Sequence, residues 1–461
     1  MQHRKPYFFV GIGGSGMMPL AMILAGQGAK VAGSDRSLDA GALPAKFGFL
    51  KDRGVALFPQ NGSGITSADQ IVVASAAIED TVPDMIATVR AGAARMSRAE
   101  LLASLFNDAG LSIGVAGTSG KSTVTGMIAW ILHATGRDPT VMNGAVMKNF
   151  VSPDALFASA LVGAGDAFVS EVDESDGSIA LYRPRVAVLN NVSLDHKSME
   201  ELRVLFGDFA AKAETTVVNV GDPESAVLAA GLDRARTVTF AVEGEADMVA
   251  ANLTPEPFAI GFDLAMGGET RRVRLSVPGR HNVANALAAI GAAVAAGVPV
   301  DEACRAIEGF TGLKRRFELV GEAGGVAVID DFGHNPEKIA ATLDTLHAFP
   351  GRLLLMFRPH GYGPLKVMRR ELGEMFREKL GSEDLLVIPD PAYFGGTANR
   401  EVTSADIVGD IGGKAHHIAD RDEAAAWLVQ QARPGDRIVV MGARDDTLSQ
   451  MAAGMVAALG G

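Results

Sequence analysis

The sequence is poor in the residues that build stapled or metal-clustered proteins: one cysteine, two tryptophans and four tyrosines in 461 residues. A single thiol, Cys304, excludes an internal disulfide framework and any metal site built from several cysteines. Long apolar runs are missing as well. The longest, Leu287 to Val300, is alanine-rich and too short to cross a bilayer. The opening MQHRKPYFFVGIGG has too little apolar length for a secretion signal. Positive charge is also in deficit: 42 Lys and Arg against 54 Asp and Glu leave a net charge of −12. That balance argues against nucleic acid partners and against an anionic membrane surface. It leaves open a phosphorylated small molecule held at a local site. The expectation is a cytoplasmic protein in a reducing compartment.

Glycine is plentiful, and two glycine turns organise the chain. An apolar run, Leu111 to Val115, feeds Gly117-Thr118-Ser119-Gly120-Lys121-Ser122. A helical pattern follows, with Val124, Met127, Ile128 and Ile131 on one face. Strand, glycine turn and helix N-terminus make a phosphate site, because free backbone N–H groups and the positive end of the helix dipole point at the anion. Lys121 adds a full charge for the β- and γ-phosphates, and the Ser122 hydroxyl suits Mg²⁺. The usual spacing, G-x-x-x-x-G-K-[ST], asks for glycine where this chain has Val115. The plainer alternative is a Gly/Ser turn with a surface lysine.

The first turn comes earlier. Strand-like Tyr7 to Val10 runs into Gly11-Ile12-Gly13-Gly14-Ser15-Gly16, then a helix from Met17 to Ala25. Asp35 lies about twenty residues on, where a ribose hydroxyl is held in dinucleotide folds. Further strands and helices alternate up to a polar linker at Phe106–Gly110, read as a hinge. After the phosphate loop, the strand Ala167–Glu171 ends in the acids Glu171, Asp173, Glu174 and Asp176, suited to placing a metal. A strand from Val186 to Asn190 runs toward Asp195-His196. Residues 237–278 alternate like antiparallel strands, a β-rich elaboration. His281-Asn282-x-x-Asn285 opens an alanine-rich helix, and an asparagine inside a helix is disfavoured unless it reads something, such as an adenine edge. After Gly309–Gly312 a third α/β unit begins with Lys314-Arg315-Arg316. Its first strand ends in Asp330-Asp331, ahead of Phe332-Gly333-His334-Asn335-Pro336. A helix is expected over 367–380, following Gly361-Tyr362-Gly363-Pro364 as a turn.

Taken in order, these motifs resemble the Mur ligases, ATP-dependent amide-bond ligases of peptidoglycan synthesis. The short loop Gly117-Thr118-x-Gly120-Lys121-Ser122, Glu171-Val172-Asp173-Glu174, Asp195-His196, His281 to Asn285, Arg315-Arg316-Phe317 and Asp330-Asp331 to Pro336 all match the family pattern. The resemblance implies three α/β domains: a Rossmann-like UDP-substrate domain over 1–108, a P-loop ATPase domain with the β-rich elaboration over 109–312, and a Rossmann-like amino-acid domain over 313–461. It implies ATP held by Gly117, Thr118, Ser119, Gly120, Lys121, Ser122, Thr123, Asn285, Arg316 and Asp331. Mg²⁺ is implied at Ser122, Glu171 and His196, and Lys121, His196 and His334 in catalysis. UDP-N-acetylmuramate is expected at Gly11, Gly13, Gly14, Ser15, Gly16 and Asp35. The opening motif is similar to the members that attach L-alanine, while Asn143-Gly144 and Asn190-Asn191 are closer to members that attach a whole peptide. The family arginines are missing at Gly361 and Pro364, so Arg358, His360 and Lys366 are the candidates for holding the amine substrate. The implied state is a monomer or homodimer. A rival from another class is an NAD-dependent oxidoreductase on the first domain, which explains Asp35 and leaves Lys121 and Glu171 without a task.

Overall fold

The computed structural model describes residues 5–75, 78–194, 197–392, 401–443, 445 and 447–460. The chain folds as two compact units. Met1–Ala251, Leu264–Arg271 and Ala284–Glu308 form the first; Asn252–Asp263, Arg272–Val283 and Gly309–Gly461 form the second.

The first unit begins with a parallel sheet of β1 (Tyr7–Val10), β2 (Val31–Ser34), β3 (Ala56–Phe58), β4 (Ile71–Ala74) and β5 (Ala94–Ser97), in the order β3-β2-β1-β4-β5. β1 and β4 are buried at every position, so YFFV and IVVA are continuous apolar runs rather than alternating ones. The strand order reverses between β1 and β4, and the glycine turn leaves β1 at that switch point.

The second sheet contains β6 (Leu111–Ala116), β7 (Thr140–Met142), β8 (Ala160–Leu161), β9 (Ala167–Glu171), β10 (Val186–Leu189), β11 (Thr215–Asn219), β12 (Thr237–Val242), β13 (Met248–Glu256), β14 (Ala259–Met266) and β15 (Glu269–Leu275). Its order is β15-β14-β13-β12-β11-β10-β6-β9-β7-β8. β6 lies between β10 and β9, parallel to both. The phosphate loop therefore leaves the sheet flanked by the acids after β9 and the asparagines after β10. The β-rich stretch is continuous with this sheet, and its first strand departs from the antiparallel expectation: β12 pairs in parallel with both β11 and β13.

The linker segment Phe106–Gly110 is packed at its start. The helix Arg98–Asn107 runs through its first two residues. Phe106 is fully buried, its ring 6.1 Å from that of Phe168 and 5.1 Å from that of Tyr182. The Asn107 amide donates to the Leu181 carbonyl at 2.9 Å, and its oxygen accepts from the Arg183 N–H at 2.8 Å. The polar composition suggested a loop; burial of one aromatic side chain overrode it.

The second unit is built on β16 (Glu318–Ala323), β17 (Val326–Asp331), β18 (Leu353–Phe357), β19 (Leu385–Ile388), β20 (Ala415–His417) and β21 (Arg437–Met441), ordered β16-β17-β21-β18-β19-β20. Only β16 is antiparallel to its neighbour. The last strand enters between β17 and β18, so Asp330-Asp331, Gly442 and Arg358 gather at one edge. The helix beyond β18 starts at Tyr362, not at 367, and runs to Lys379. Proline is tolerated in a first helical turn, where its missing N–H has no intrahelical partner to lose.

Candidate active site

The first turn is drawn onto Asp35. Its Oδ2 accepts the Gly13 N–H and its Oδ1 the Ser37 N–H, both at 2.8 Å, and the residue is buried. Asp35 also caps the short helix Arg36–Asp39. Gly11 has φ +77°, and a Cβ at Gly33 would lie 2.6 Å from the Phe9 carbonyl oxygen, so both positions need glycine. Gly14 accepts the N–H groups of Met17 and Met18, Ser15 is exposed, and Gly16 packs against the Arg98 side chain.

The phosphate loop is held by several hydrogen bonds. Gly120 has φ +83° and caps the helix Lys121–Ala134 with no side-chain hydrogen bond, which leaves the first-turn amides to a ligand. Lys121 Nζ donates to the Gly117 carbonyl at 2.7 Å and to Glu174 Oε2 at 2.8 Å. Ser122 Oγ donates to Glu171 Oε2 at 2.8 Å. Gly144 lies against that same carboxylate, leaving no space for a Cβ. Burial pushes the Asp173 carboxyl up, but the Ser175 amide and hydroxyl and the charges of Lys121 and Arg98 outweigh it, and the group sits below the ordinary carboxylate range.

Asn190 and Asn191, after β10, fix the loop and carry more of it than their motif suggested. Asn191 Oδ1 accepts the Ser119 N–H at 2.8 Å, and the side-chain amides of Asn190 and Asn191 donate to the Ser119 carbonyl at 3.1 and 3.0 Å. Thr118 Oγ1 exchanges hydrogen bonds with the Ser193 backbone, both 3.0 Å. Asn285 is buried, and its Oδ1 accepts from Asn190 Nδ2 at 2.9 Å. It sits against Gly120, whose Cβ would fall 2.5 Å from Asn285 Oδ1. Thr123 follows in the first turn of the helix. Ser119 Oγ is buried without a hydrogen-bond partner among the described residues, an orphaned hydroxyl where an anion is expected. His196 and its neighbour Asp195 lie outside the described residues.

In the second unit, Arg315 Nη2 donates to the Gly442 carbonyl at 2.6 Å and its Nε lies 3.4 Å from Asp330. Asp331 accepts the Phe317 N–H at 3.1 Å and the Thr342 hydroxyl at 2.7 Å. The Arg316 guanidinium lies 4.1 Å over the Phe332 ring. His334 Nδ1 is 3.0 Å from the Phe332 carbonyl, which assigns the proton to Nδ1 and leaves Nε2 as an acceptor. Its ring meets His360 edge-on at 5.2 Å. Burial, with help from Lys338, His360 and Arg316, lowers the His334 pKa to about 3, so the imidazole is neutral at working pH. Arg358 is ion-paired with Asp445. Lys366 lies on the helix beyond β18 and pairs with the exposed Glu401 at 2.7 Å. No feature of the sequence signalled Asp445 or its second partner, Arg421: both come from separate elements joined only by the sheet order.

Comparison with known proteins places these features in one setting. The family model described as Mur ligase family, catalytic domain, matches residues 6–109; the Mur ligase middle domain matches 115–293; and the Mur ligase glutamate ligase domain matches 315–444. The chain is 36% identical to a UDP-N-acetylmuramate–L-alanine ligase of Streptomyces coelicolor, over 96% of this chain and 95% of that one. It is 34% identical to one of Pelotomaculum thermopropionicum, over 96% of each. The crystal structure of UDP-N-acetylmuramate–alanine ligase from Thermotoga maritima aligns with a TM-score of 0.79 at 23% identity, over 98% of both chains, a likeness of fold.

Proposed function

This chain belongs to the Mur ligase family, and on that premise we propose that it joins L-alanine to UDP-N-acetylmuramate at the expense of ATP, forming ADP and phosphate in peptidoglycan precursor synthesis. The observation that carries the reading is Lys121, ion-paired with the buried Glu174 at an otherwise uncapped helix N-terminus. A carboxylate does not condense with an amine unaided. Its oxygen attacks the γ-phosphorus of ATP, giving an acyl phosphate and ADP; the amine then attacks the acyl carbon and phosphate leaves. Lys121 and the first-turn amides stabilise the charge that spreads over the transferring oxygens. Glu174 and the Gly117 carbonyl hold the ammonium at the mouth of the loop until phosphate oxygens replace them.

Ser122 and Glu171 supply two adjacent oxygen donors, the ligand type Mg²⁺ prefers. When bound, Mg²⁺ neutralises phosphate charge; His196 is the further ligand proposed. The glycine turn with Asp35 is assigned to the UDP moiety. His334, neutral with a free Nε2, is assigned as a hydrogen-bond partner for the reacting groups, since a pKa near 3 makes it a weak base. A peptide amine is the second reading, favoured by the open space beside Gly363, where an added Cβ would meet no atom within 4 Å.

Phosphate release with ATP, UDP-N-acetylmuramate and either L-alanine or a tripeptide tests the proposal. Release with L-alanine is expected. Release with neither amine overturns the ligase reading, and release with the tripeptide alone overturns the choice of L-alanine.

A further inference from the structure

The six-stranded sheet gathers two guanidinium groups on one carboxylate. Arg358 follows β18, Arg421 opens the helix Arg421–Gln431, and Asp445 follows β21. Arg421 Nη1 lies 2.7 Å from Asp445 Oδ2, and Arg358 Nη1 reaches the same oxygen. The other oxygen, Oδ1, accepts the Thr447 hydroxyl at 2.5 Å and the Thr447 N–H at 3.1 Å. The side chains of Asp445, Arg358 and Arg421 are 8%, 18% and 29% exposed, so one shielded anion serves two shielded cations. Among the described residues, the other nearby acids do not redress this. Asp420 spends Oδ1 on the Asp422 and Glu423 amides. Asp422 is 75% exposed and 3.6 Å from Arg421, where water screens it. Arg358 Nε is buried with no hydrogen-bond partner among the described residues. An unused buried donor beside a second arginine favours one more acceptor, and a carboxylate matches the guanidinium fork.

We propose that Arg358 and Arg421 form a two-arginine clamp for the carboxylate of the amine substrate, with Asp445 as the positioning residue that holds them side by side. The inference rests on the ligase reading and adds the group that takes over from arginines missing at Gly361 and Pro364. Arg421 reaches the site from a different helix, so no motif around Arg358 discloses it.

The test compares L-alanine with L-alaninamide, which lacks the negative charge, in the wild type and in Arg421→Gln, with ATP and UDP-N-acetylmuramate saturating. The wild type is expected to prefer L-alanine, and the preference, as a ratio of kcat/KM values, is expected to fall about tenfold or more in the variant. The KM for ATP is measured alongside and should change by less than about twofold. Arg421→Lys keeps the charge without the fork; should Arg421→Gln fail to fold, the same ratio is read from the lysine variant, where it should also fall. A general structural lesion would lower both rates together and leave the ratio alone. An unchanged ratio in an active, folded variant, or a wild type with no preference, overturns the clamp and leaves the ligase reading standing. A wild type that releases no phosphate with L-alanine overturns that choice of amine, and the clamp as stated with it.

Discussion

Lys121 has two partners, the Gly117 carbonyl and Glu174, at distances a phosphate oxygen would also take. Its removal should act twice. Lys121→Ala is expected to lower turnover by about a thousandfold or more, because the lost charge is one that stabilises the transition state. It also leaves the buried Glu174 without its counter-charge, and unfolding should show a loss of about 1–3 kcal/mol. The double variant Lys121→Ala/Glu174→Gln should recover most of the stability and none of the turnover; near-normal turnover in either would sink the phosphate-site assignment. A second residue-scale prediction concerns His334, whose pKa is lowered from 6.5 to about 3 by burial first and nearby cations second. Between those values the unfolded chain binds a proton that the folded chain refuses, so stability falls as pH drops from about 6.5 toward 3. His334→Gln should remove about 1–2 kcal/mol of that fall between pH 7 and pH 5. Unfolding curves at the two pH values check it: an equal loss in both proteins would mean that other groups carry the acid sensitivity.

At the scale of elements, the helix after β18 separates what the sequence disclosed from what it hid. Gly361, Gly363 and Pro364 read as a turn by composition, yet Tyr362 to Lys379 is one helix because its buried residues, Leu365, Leu372, Met375 and Phe376, fall on one face of that longer span. Gly363 has a helical backbone and open space at its Cβ. Gly363→Ala is therefore expected to stabilise the second unit by about 0.5–1 kcal/mol, measured by chemical unfolding. If a peptide amine fills that space, the same change should raise its KM, whereas L-alanine should be unaffected. Strands β6, β9, β10, β17 and β21 were legible because burial on both sheet faces writes them as short apolar runs. The phosphate loop was legible because its chemistry is local, from Gly117 to Ser122. The Asn190 and Asn191 brace, the Asn285 contact and the Arg358–Asp445–Arg421 cluster were not, since each depends on which strands become neighbours. Phe106 adds what composition did not disclose: the start of a linker-like segment is pinned by one buried ring.

At the scale of the whole molecule, the question is which nucleotide the first sheet serves. Its strand order, glycine turn and acid at the end of β2 are shared by dinucleotide-binding folds, so topology does not separate a UDP-sugar from NAD. The state of Asp35 bears on the choice. In an NAD site that acid must offer its oxygens to a ribose hydroxyl. Here one oxygen holds the Gly13 amide and the other the Ser37 amide, each at 2.8 Å, and the residue is buried. An acid occupied in shaping the glycine turn supports a ligand that takes its contacts from the turn itself. The second argument comes from the rest of the chain: the phosphate loop, Glu171 and Glu174 have a use only when another nucleotide is consumed beside the first substrate, and a nicotinamide enzyme has no such need. Isothermal calorimetry should therefore show binding of UDP-N-acetylmuramate and none of NAD, with Asp35→Asn weakening the UDP-sugar by about tenfold as the turn loses an acceptor for its amides. Tight NAD binding without any response to the UDP-sugar would reverse the assignment of the first sheet. The phosphate loop would then need a different second substrate, and the ligase reading would fail at its first step.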